Sequence, residues 1–301
     1  MKTRQTKWAA SLLAIAASAL MGRAAETTLK VGDPAPKLQT GKWVQGEPVQ
    51  EFQKGKAYIV EFWATWCGPC RASIPHLNET YTRFKDKGLI VIGQDCWEHD
   101  ESLVAPFLKS MGEKMTYRVA LDDKRNSEKG KMAETWMEAA GQNGIPTAFL
   151  VDKKGILVWI GHPMTLKEQV IEDVLAGKFD LQRATADYQQ QQETEQQLRT
   201  VSMALSKAMQ AKDWDAASAK VDEIAKLMPN ESSSLDMVRL NILFGREDYP
   251  SAYKLASKIS EQSAENAMLQ NELAWKIATD TSIKQRDLPL AETMAKRAAA
   301  T

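Results

Sequence analysis

Short apolar runs alternate with helix-like stretches between residues 26 and 180, and this alternation predicts an α/β fold. Four runs have the length and composition of buried strands: 57–63, 89–92, 147–151 and 156–160. Turn-forming residues, Asp152 to Gly155, join the last two and predict a hairpin. Helix-like stretches lie near 70–86, 100–110, 127–139 and 165–176. We therefore expect a central mixed sheet flanked by helices, with a small added hairpin at 42–49.

The pattern changes near residue 181. A glutamine-rich stretch at 181–199 has little apolar periodicity, which predicts a linker that is itself a solvated helix. From 200 to 301 the chain is alanine-rich and predicts an all-helical region. An aspartate, a large apolar residue and an alanine recur there three times, starting at Asp213, Asp248 and Asp287. This period is similar to that of tetratricopeptide repeats, which are helical hairpins. An ordinary helical bundle is the alternative.

The first 24 residues have the pattern of a secretory signal peptide. A basic start precedes an apolar run of 14 residues at 8–21, and small residues lie at the expected cleavage site after Ala24. The run is too short to cross about 30 Å of hydrocarbon as a helix. A buried N-terminal helix or an uncleaved anchor is the alternative. The signal predicts a periplasmic or otherwise exported protein that is soluble after cleavage.

Composition and charge narrow the possible functions. Lys plus Arg and Asp plus Glu both number 39 in 301 residues, so the formal net charge is zero. A general nucleic-acid binder is excluded, because phosphate binding needs a basic surface. Three cysteines are too few for a disulfide-stapled scaffold in a chain of this length.

Two of the cysteines carry the strongest chemical signal. Trp66-Cys67-Gly68-Pro69-Cys70 follows a predicted strand and opens a predicted helix, which makes the pair far more specific than two spaced thiols. The thiolate is the nucleophile, yet a thiol of pKa about 8.5 is mostly protonated at neutral pH. Helix N-termini stabilise a negative sulfur through unpaired N–H groups and the helix dipole. We therefore predict Cys67 as the nucleophile and Cys70 as the resolving thiol.

Residues 31–180 resemble the thioredoxin superfamily, and within it the exported TlpA/ResA-like thiol–disulfide oxidoreductases. The resemblance rests on Val31 to Pro36, on the Trp-Cys-Gly-Pro-Cys core and on Gly144-Ile-Pro-Thr147. It implies a thioredoxin-like domain over residues 25–180. It also implies a redox-active disulfide between the paired cysteines, with no separate cofactor.

The resemblance further implies the residues that serve the dithiol. In the family a cis proline lies against the cysteines, and by position it maps to Pro146, with Ile145 offering backbone contacts to a substrate peptide. The predicted substrate-binding surface comprises Trp66, Gly68, Pro69, Ile145 and Pro146. Glu61 matches a buried acid that moves the proton of the resolving thiol. A half-buried strand residue with an exposed carboxylate is the alternative for Glu61.

The sequence gives little support for a peroxidatic cysteine, haem attachment or a metal site. A peroxidatic site needs a threonine three residues before its cysteine, and Thr65 lies only two before Cys67. Arg71 follows the second cysteine where haem attachment needs histidine. No metal site is predicted, because the three histidines lack ligand spacing: His76, His99 and His162. Cys96 fits either a third redox thiol or a small buried side chain, and we favour the second.

The leading hypothesis is an exported thiol–disulfide oxidoreductase that reduces disulfides in client proteins. The resemblance implies a membrane electron donor as a further partner. In the alternative, the helical repeats make the protein mainly a binding adaptor whose redox domain acts only on a docked client. A protein partner at the repeats is therefore expected, and a nucleic-acid partner is not.

Overall fold

A computed structural model describes residues 28–300, apart from the side chains of residues 231–233. The predicted signal peptide at 1–24 lies outside the described residues. The described chain divides between Gln191 and Gln192 into two compact units. Within the described part, no helix has the length and apolar character needed to cross a membrane.

Six strands form the sheet of the first unit. They are β1 (Thr40–Gln45), β2 (Ala57–Trp63), β3 (Leu89–Asp95), β4 (Arg118–Asp122), β5 (Thr147–Val151) and β6 (Leu157–Gly161). Their order across the sheet is β1-β4-β3-β2-β5-β6. The three central strands β2, β3 and β4 run parallel, and β1, β5 and β6 pair antiparallel to their neighbours. The predicted thioredoxin-like mixed sheet is confirmed.

The hairpin predicted at 42–49 is wrong. Strand β1 pairs with β4, where Trp43 lies opposite Ala120, and not with a second local strand. Gly46 follows β1 with a φ of +72°, and a Cβ built there would lie 2.9 Å from the Arg118 side chain. Gly46 therefore allows the chain after β1 to approach the distant Arg118 closely. Its local sequence resembles that of a hairpin turn, which accounts for the wrong prediction.

Helices cover both faces of the sheet. The first unit contains α1 (Gly68–Phe84), α2 (Val104–Met111), a π-helix (Ala133–Glu138) and α3 (Glu168–Ala176). All seven residues of β2 are buried, and alternate residues enter different cores. Ile59 and Trp63 pack with Ile74 of α1, whereas Tyr58 and Phe62 join the core on the other face. An apolar run on both faces, interrupted in β2 only by Glu61, is what two covered faces require.

The second unit is all-helical, as predicted. The helix α4 (Leu181–Gln210) spans the point of division, and the stretch predicted as a linker lies inside it. Its role as a linker stays a prediction. The remaining helices are α5 (Trp214–Leu227), α6 (Asp236–Gly245), α7 (Tyr249–Gln262), α8 (Ala267–Thr279) and α9 (Leu288–Ala300).

The recurring aspartates of the sequence begin helices. Asp213, Asp248 and Asp287 precede α5, α7 and α9. Each carboxylate accepts a hydrogen bond from the backbone N–H three residues later, at 3.1, 3.3 and 2.9 Å respectively. These are N-caps, which satisfy a donor that the helix leaves unpaired. The recurring alanines, Ala217, Ala252 and Ala291, are buried in the helical cores.

Candidate active site

Cys67 and Cys70 lie at the start of α1, at the end of the loop that follows β2. They form a disulfide with a Cα–Cα distance of 5.3 Å. Cys67 is the N-cap residue of α1, and its Sγ accepts a hydrogen bond from the Cys70 N–H at 3.1 Å. In the reduced protein this donor and the helix dipole would favour a thiolate on Cys67. Cys70 is fully buried, whereas Gly68 and Pro69 between the two cysteines are exposed.

The segment Gly144–Pro146 lies against this disulfide. The Ile145–Pro146 peptide bond is cis, as the family resemblance implies. The Ile145 carbonyl oxygen is 3.7 Å from Cys67 Sγ. Gly144 is exposed and Ile145 partly exposed, while Pro146 is buried. Backbone groups of this loop therefore reach the surface beside the sulfur that is predicted to be the nucleophile.

Glu61 is completely buried within β2, so the alternative of an exposed carboxylate is wrong. The Tyr117 hydroxyl donates a hydrogen bond to Glu61 Oε2 at 2.8 Å. Burial raises the pKa of Glu61 to about 8, and hydrogen bonds from the Tyr117 and Ser73 hydroxyls oppose the rise. At neutral pH the fold therefore favours a protonated acid at this position, one that is able to exchange a proton near pH 8.

Ser73 links this acid to the resolving cysteine. Its hydroxyl donates to the Cys70 carbonyl oxygen at 3.0 Å and also lies within reach of the Glu61 carboxyl group. A serine hydroxyl carries one hydrogen, so it serves one acceptor at a time. Glu61 Oε1 accordingly has no hydrogen-bond partner among the described residues. A buried carboxyl oxygen without a partner needs an explanation in a folded protein, and proton exchange is one that its chemistry supplies.

Sequence reasoning missed both Tyr117 and Ser73. One signal for Tyr117 is Gly93, a glycine inside a buried strand, which often marks a close approach. Gly93 lies directly opposite Glu61 in the β2–β3 pairing. A Cβ built on Gly93 would lie 2.9 Å from the Tyr117 ring. For Ser73, the signal is a polar residue one turn after Cys70 on the buried face of α1.

Trp66 lies on the surface next to the disulfide, as predicted, with half of its side chain exposed. Its Nε1 donates to the Trp97 carbonyl oxygen at 3.1 Å, and its ring lies 5.4 Å from the His99 ring. The backbone N–H of Thr65 donates to Glu98 Oε2 at 2.8 Å. The loop after β3 therefore holds the residues that precede Cys67.

Three other side chains of the first unit have structural positions. Trp63 is fully buried and packs against Phe107, with ring centroids 5.2 Å apart. Cys96 is buried and unbridged, and burial together with nearby carboxylates, Asp95 first, raises the pKa of its thiol. His162 begins a short 3₁₀ turn, where its Nδ1 accepts from the Met164 N–H at 3.2 Å. Among the described residues, no cluster of three potential ligands could hold a metal ion.

Comparisons with known proteins find a family model and several relatives. A family model described as Redoxin matches residues 30–175. The chain is 27% identical over 219 residues to Protein FixW of Rhizobium leguminosarum, which covers 68% of this chain and 94% of that protein. It is 32% identical over 149 residues to the thiol–disulfide oxidoreductase ResA of Bacillus thuringiensis subsp. konkukian (strain 97-27), covering 49% of this chain and 78% of that protein.

Solved structures include a similar domain. The crystal structure of the thioredoxin domain of a thiol–disulfide oxidoreductase from Bacteroides vulgatus is 29% identical in sequence. The match has a TM-score of 0.40 and covers 48% of this chain and 99% of that domain.

Proposed function

This chain belongs to the ResA-like thiol–disulfide oxidoreductases, and on that premise we propose that it is exported and reduces disulfide bonds in client proteins. One observation carries the proposal. The Cys67 sulfur caps a helix and lies 3.7 Å from the Ile145 carbonyl oxygen, beside a backbone segment that reaches the surface. A client peptide that pairs with this segment would bring its disulfide to Cys67.

The proposed reaction begins with the reduced dithiol. The Cys67 thiolate attacks one sulfur of the client disulfide, and a bond forms between Cys67 and that sulfur. The other client sulfur leaves as a thiolate and takes up a proton. Cys70, once deprotonated, attacks Cys67 Sγ, which breaks the mixed disulfide and forms the Cys67–Cys70 bond. The client sulfur released from Cys67 leaves as a thiolate and takes up the second proton, so the client now has two thiols and has gained two electrons.

In its ionised form, which is the minor one at neutral pH, Glu61 is the proposed proton acceptor for Cys70. Its burial, its pKa of about 8 and the bridging position of Ser73 support this role. Tyr117 is a positioning residue in this scheme, since its hydroxyl fixes the carboxyl group of Glu61. A buried acid with a pKa near the working pH moves a proton most effectively in both directions.

Client binding in the proposal uses the surface around Cys67. Ile145 and Pro146 offer backbone contacts, and Trp66, Gly68 and Pro69 form the adjoining exposed surface. After each cycle the disulfide needs reduction by a dithiol donor. For an exported reductase, the family resemblance makes that donor a membrane protein. The proposed redox group is the Cys67–Cys70 disulfide itself, with no separate cofactor.

Replacing the nucleophile tests the reaction. In Cys67→Ser, we expect insulin reduction by dithiothreitol to fall to the uncatalysed rate, because no thiolate remains at the helix N-terminus. Cys96→Ala is the matched control and should retain wild-type turnover, since Cys96 is in a different core of the fold from the bridge. Unchanged turnover in Cys67→Ser would contradict the mechanism. Export is tested separately, by finding a periplasmic protein whose N-terminus is Ala25.

A second candidate function is the adaptor role of the helical unit. It is favoured by two exposed apolar side chains seven residues apart on α8, Met268 and Trp275, which are 81% and 68% exposed. Residues at this spacing share one face of a helix. In the full chain, replacing both by serine should then lower reduction of the natural client and leave insulin reduction unchanged. Equal activity of both proteins toward the natural client would exclude this role.

A further inference from the structure

Two chain segments are joined beside the dithiol by three independent contacts. The Thr65 N–H donates to Glu98 Oε2 at 2.8 Å, Trp66 Nε1 donates to the Trp97 carbonyl oxygen at 3.1 Å, and the Trp66 and His99 rings lie 5.4 Å apart. Trp66 is nevertheless 50% exposed. An exposed indole that is fixed through its N–H, its ring and its neighbouring backbone loses little conformational entropy when a partner binds it.

The loop that makes these contacts has an unfavourable backbone. Trp97 has a φ of +56°, in the left-handed region that bulky side chains rarely adopt. Such a conformation persists only where surrounding contacts hold it. Its occurrence at the residue that accepts the Trp66 N–H indicates that the loop is built around Trp66.

A buried pair of carboxyl groups anchors the loop. Asp95 and Glu98 are 1% and 7% exposed, and their side chains lie within hydrogen-bonding reach of each other. Glu98 also accepts the His99 N–H at 3.2 Å, so its two oxygens serve two backbone donors. Asp95 Oδ2 accepts no hydrogen bond from any described residue. Two buried carboxyl groups within hydrogen-bonding reach of each other are stable together when they share a proton.

We propose that Asp95 and Glu98 are positioning residues that hold Trp66 as a preformed platform for an apolar side chain of the client protein. This inference rests on the proposed function and names a determinant of its client specificity. The platform adds contact area for a folded or peptide client, whereas a small disulfide can react at Cys67 without it. Apolar side chains fit an exposed indole face, which offers area and little hydrogen bonding.

The shared proton gives the platform a pH dependence. Burial, and then the neighbouring Glu98, raises the pKa of Asp95 to about 8. The other groups that face Asp95 are Glu101 and Lys124, which form an ion pair at 3.2 Å, and the thiol of Cys96. Below pH 8 the protonated Asp95 donates to Glu98. Above pH 8 two adjacent negative charges repel, and we expect the loop to release Trp66.

The experiment compares two disulfides reduced by the full chain. One is insulin, measured as kcat/KM, and the other is 5,5′-dithiobis(2-nitrobenzoic acid), measured as the rate constant with the reduced protein. At pH 7 the value for insulin divided by the value for the small disulfide should fall about tenfold in Glu98→Ala. A tenfold loss corresponds to the free energy of about one aromatic contact. Glu98→Gln keeps an oxygen for the Thr65 N–H and should restore most of the ratio. Glu79→Gln, an exposed change on α1 outside this cluster, is the matched control and should keep the wild-type ratio.

The pH profile distinguishes a positioning role of Asp95 toward Trp66 from a role in the stability of the fold alone. The wild-type ratio should fall between pH 7 and 9, and it should fall less in Asp95→Asn, since its amide donates at every pH. Glu61 keeps its titration in both proteins, so the difference between their pH slopes is the contribution of Asp95. In a Trp66→Ala background, Glu98→Ala should lower the ratio no further, because the two residues act through one platform.

Several outcomes would overturn the inference. One is a wild-type ratio in folded Glu98→Ala, and another is an equal loss of activity toward both disulfides. A third is the same pH slope in Asp95→Asn and in wild type. If Glu98→Ala does not fold, the Trp66→Ala and Asp95→Asn measurements decide alone. A wild-type protein that reduces neither disulfide would overturn the proposed function, and this inference with it.

Discussion

At the scale of single residues, the fold favours the protonated form of Glu61. Burial raises the pKa of its carboxyl group to about 8 from an ordinary 4.5. A group whose pKa is raised by folding stabilises the fold fully below its unfolded pKa, and that stabilisation is lost as the pH rises through the folded value. The loss amounts to about 1.4 kcal/mol per pH unit over the interval.

Glu61→Gln removes this titration. We expect the variant to match wild type in free energy of unfolding at pH 5 and to exceed it at pH 8.5, because glutamine stays neutral. The measurement is urea unfolding of the oxidised protein, in which the paired thiols do not titrate. Glu79→Gln, an exposed change on α1, should follow wild type at both pH values. A pH slope in Glu61→Gln equal to that of wild type would show that Glu61 is not protonated in the fold.

At the scale of elements, the helical unit depends on its capped helix starts. Asp248 precedes α7 and accepts the Ser251 N–H at 3.3 Å. Asp248→Ala leaves that donor without its partner, so we expect a loss of about 1 kcal/mol in the free energy of unfolding. Circular dichroism during urea unfolding measures the change. Asp248→Asn keeps a capping oxygen and should lose much less, and an alanine variant as stable as wild type would contradict the role of the cap.

The strands and helices also differ in how far the local sequence pattern could predict them. Strands β2, β5 and β6 follow from short apolar runs, and the active-site helix follows from the placement of Cys67. Strand β4 and the true partner of β1 depend on pairing between residues about 75 apart, such as Trp43 with Ala120, which no local period encodes. Glu98 follows β3 and Tyr117 precedes β4, so both reach the site through the long-range pairing of β3 with β2 and β4. Gly93 is a local sign of Tyr117, and the local pattern carries no comparable sign of Glu98.

At the scale of the whole molecule, the redox site lies within one of the two compact units. The first unit, over 28–191, contains the disulfide, the buried acids and the Trp66 platform. The second unit, over 192–300, has helical cores of its own. The direction of electron flow is therefore set within the first unit, by how strongly its structure stabilises the reduced dithiol.

The surroundings of Cys67 give the thiolate only moderate stabilisation. Its sulfur accepts the Cys70 N–H at 3.1 Å, while the Ile145 carbonyl oxygen at 3.7 Å presents negative charge to it. Strong oxidants depend on a highly stabilised thiolate, so we expect a reduction potential near that of thioredoxin, about −270 mV. Equilibration of the full chain with glutathione and dithiothreitol buffers measures it, with Cys96→Ala as a control of unchanged potential. A value near −120 mV would make the protein an oxidant and reverse the proposed reaction.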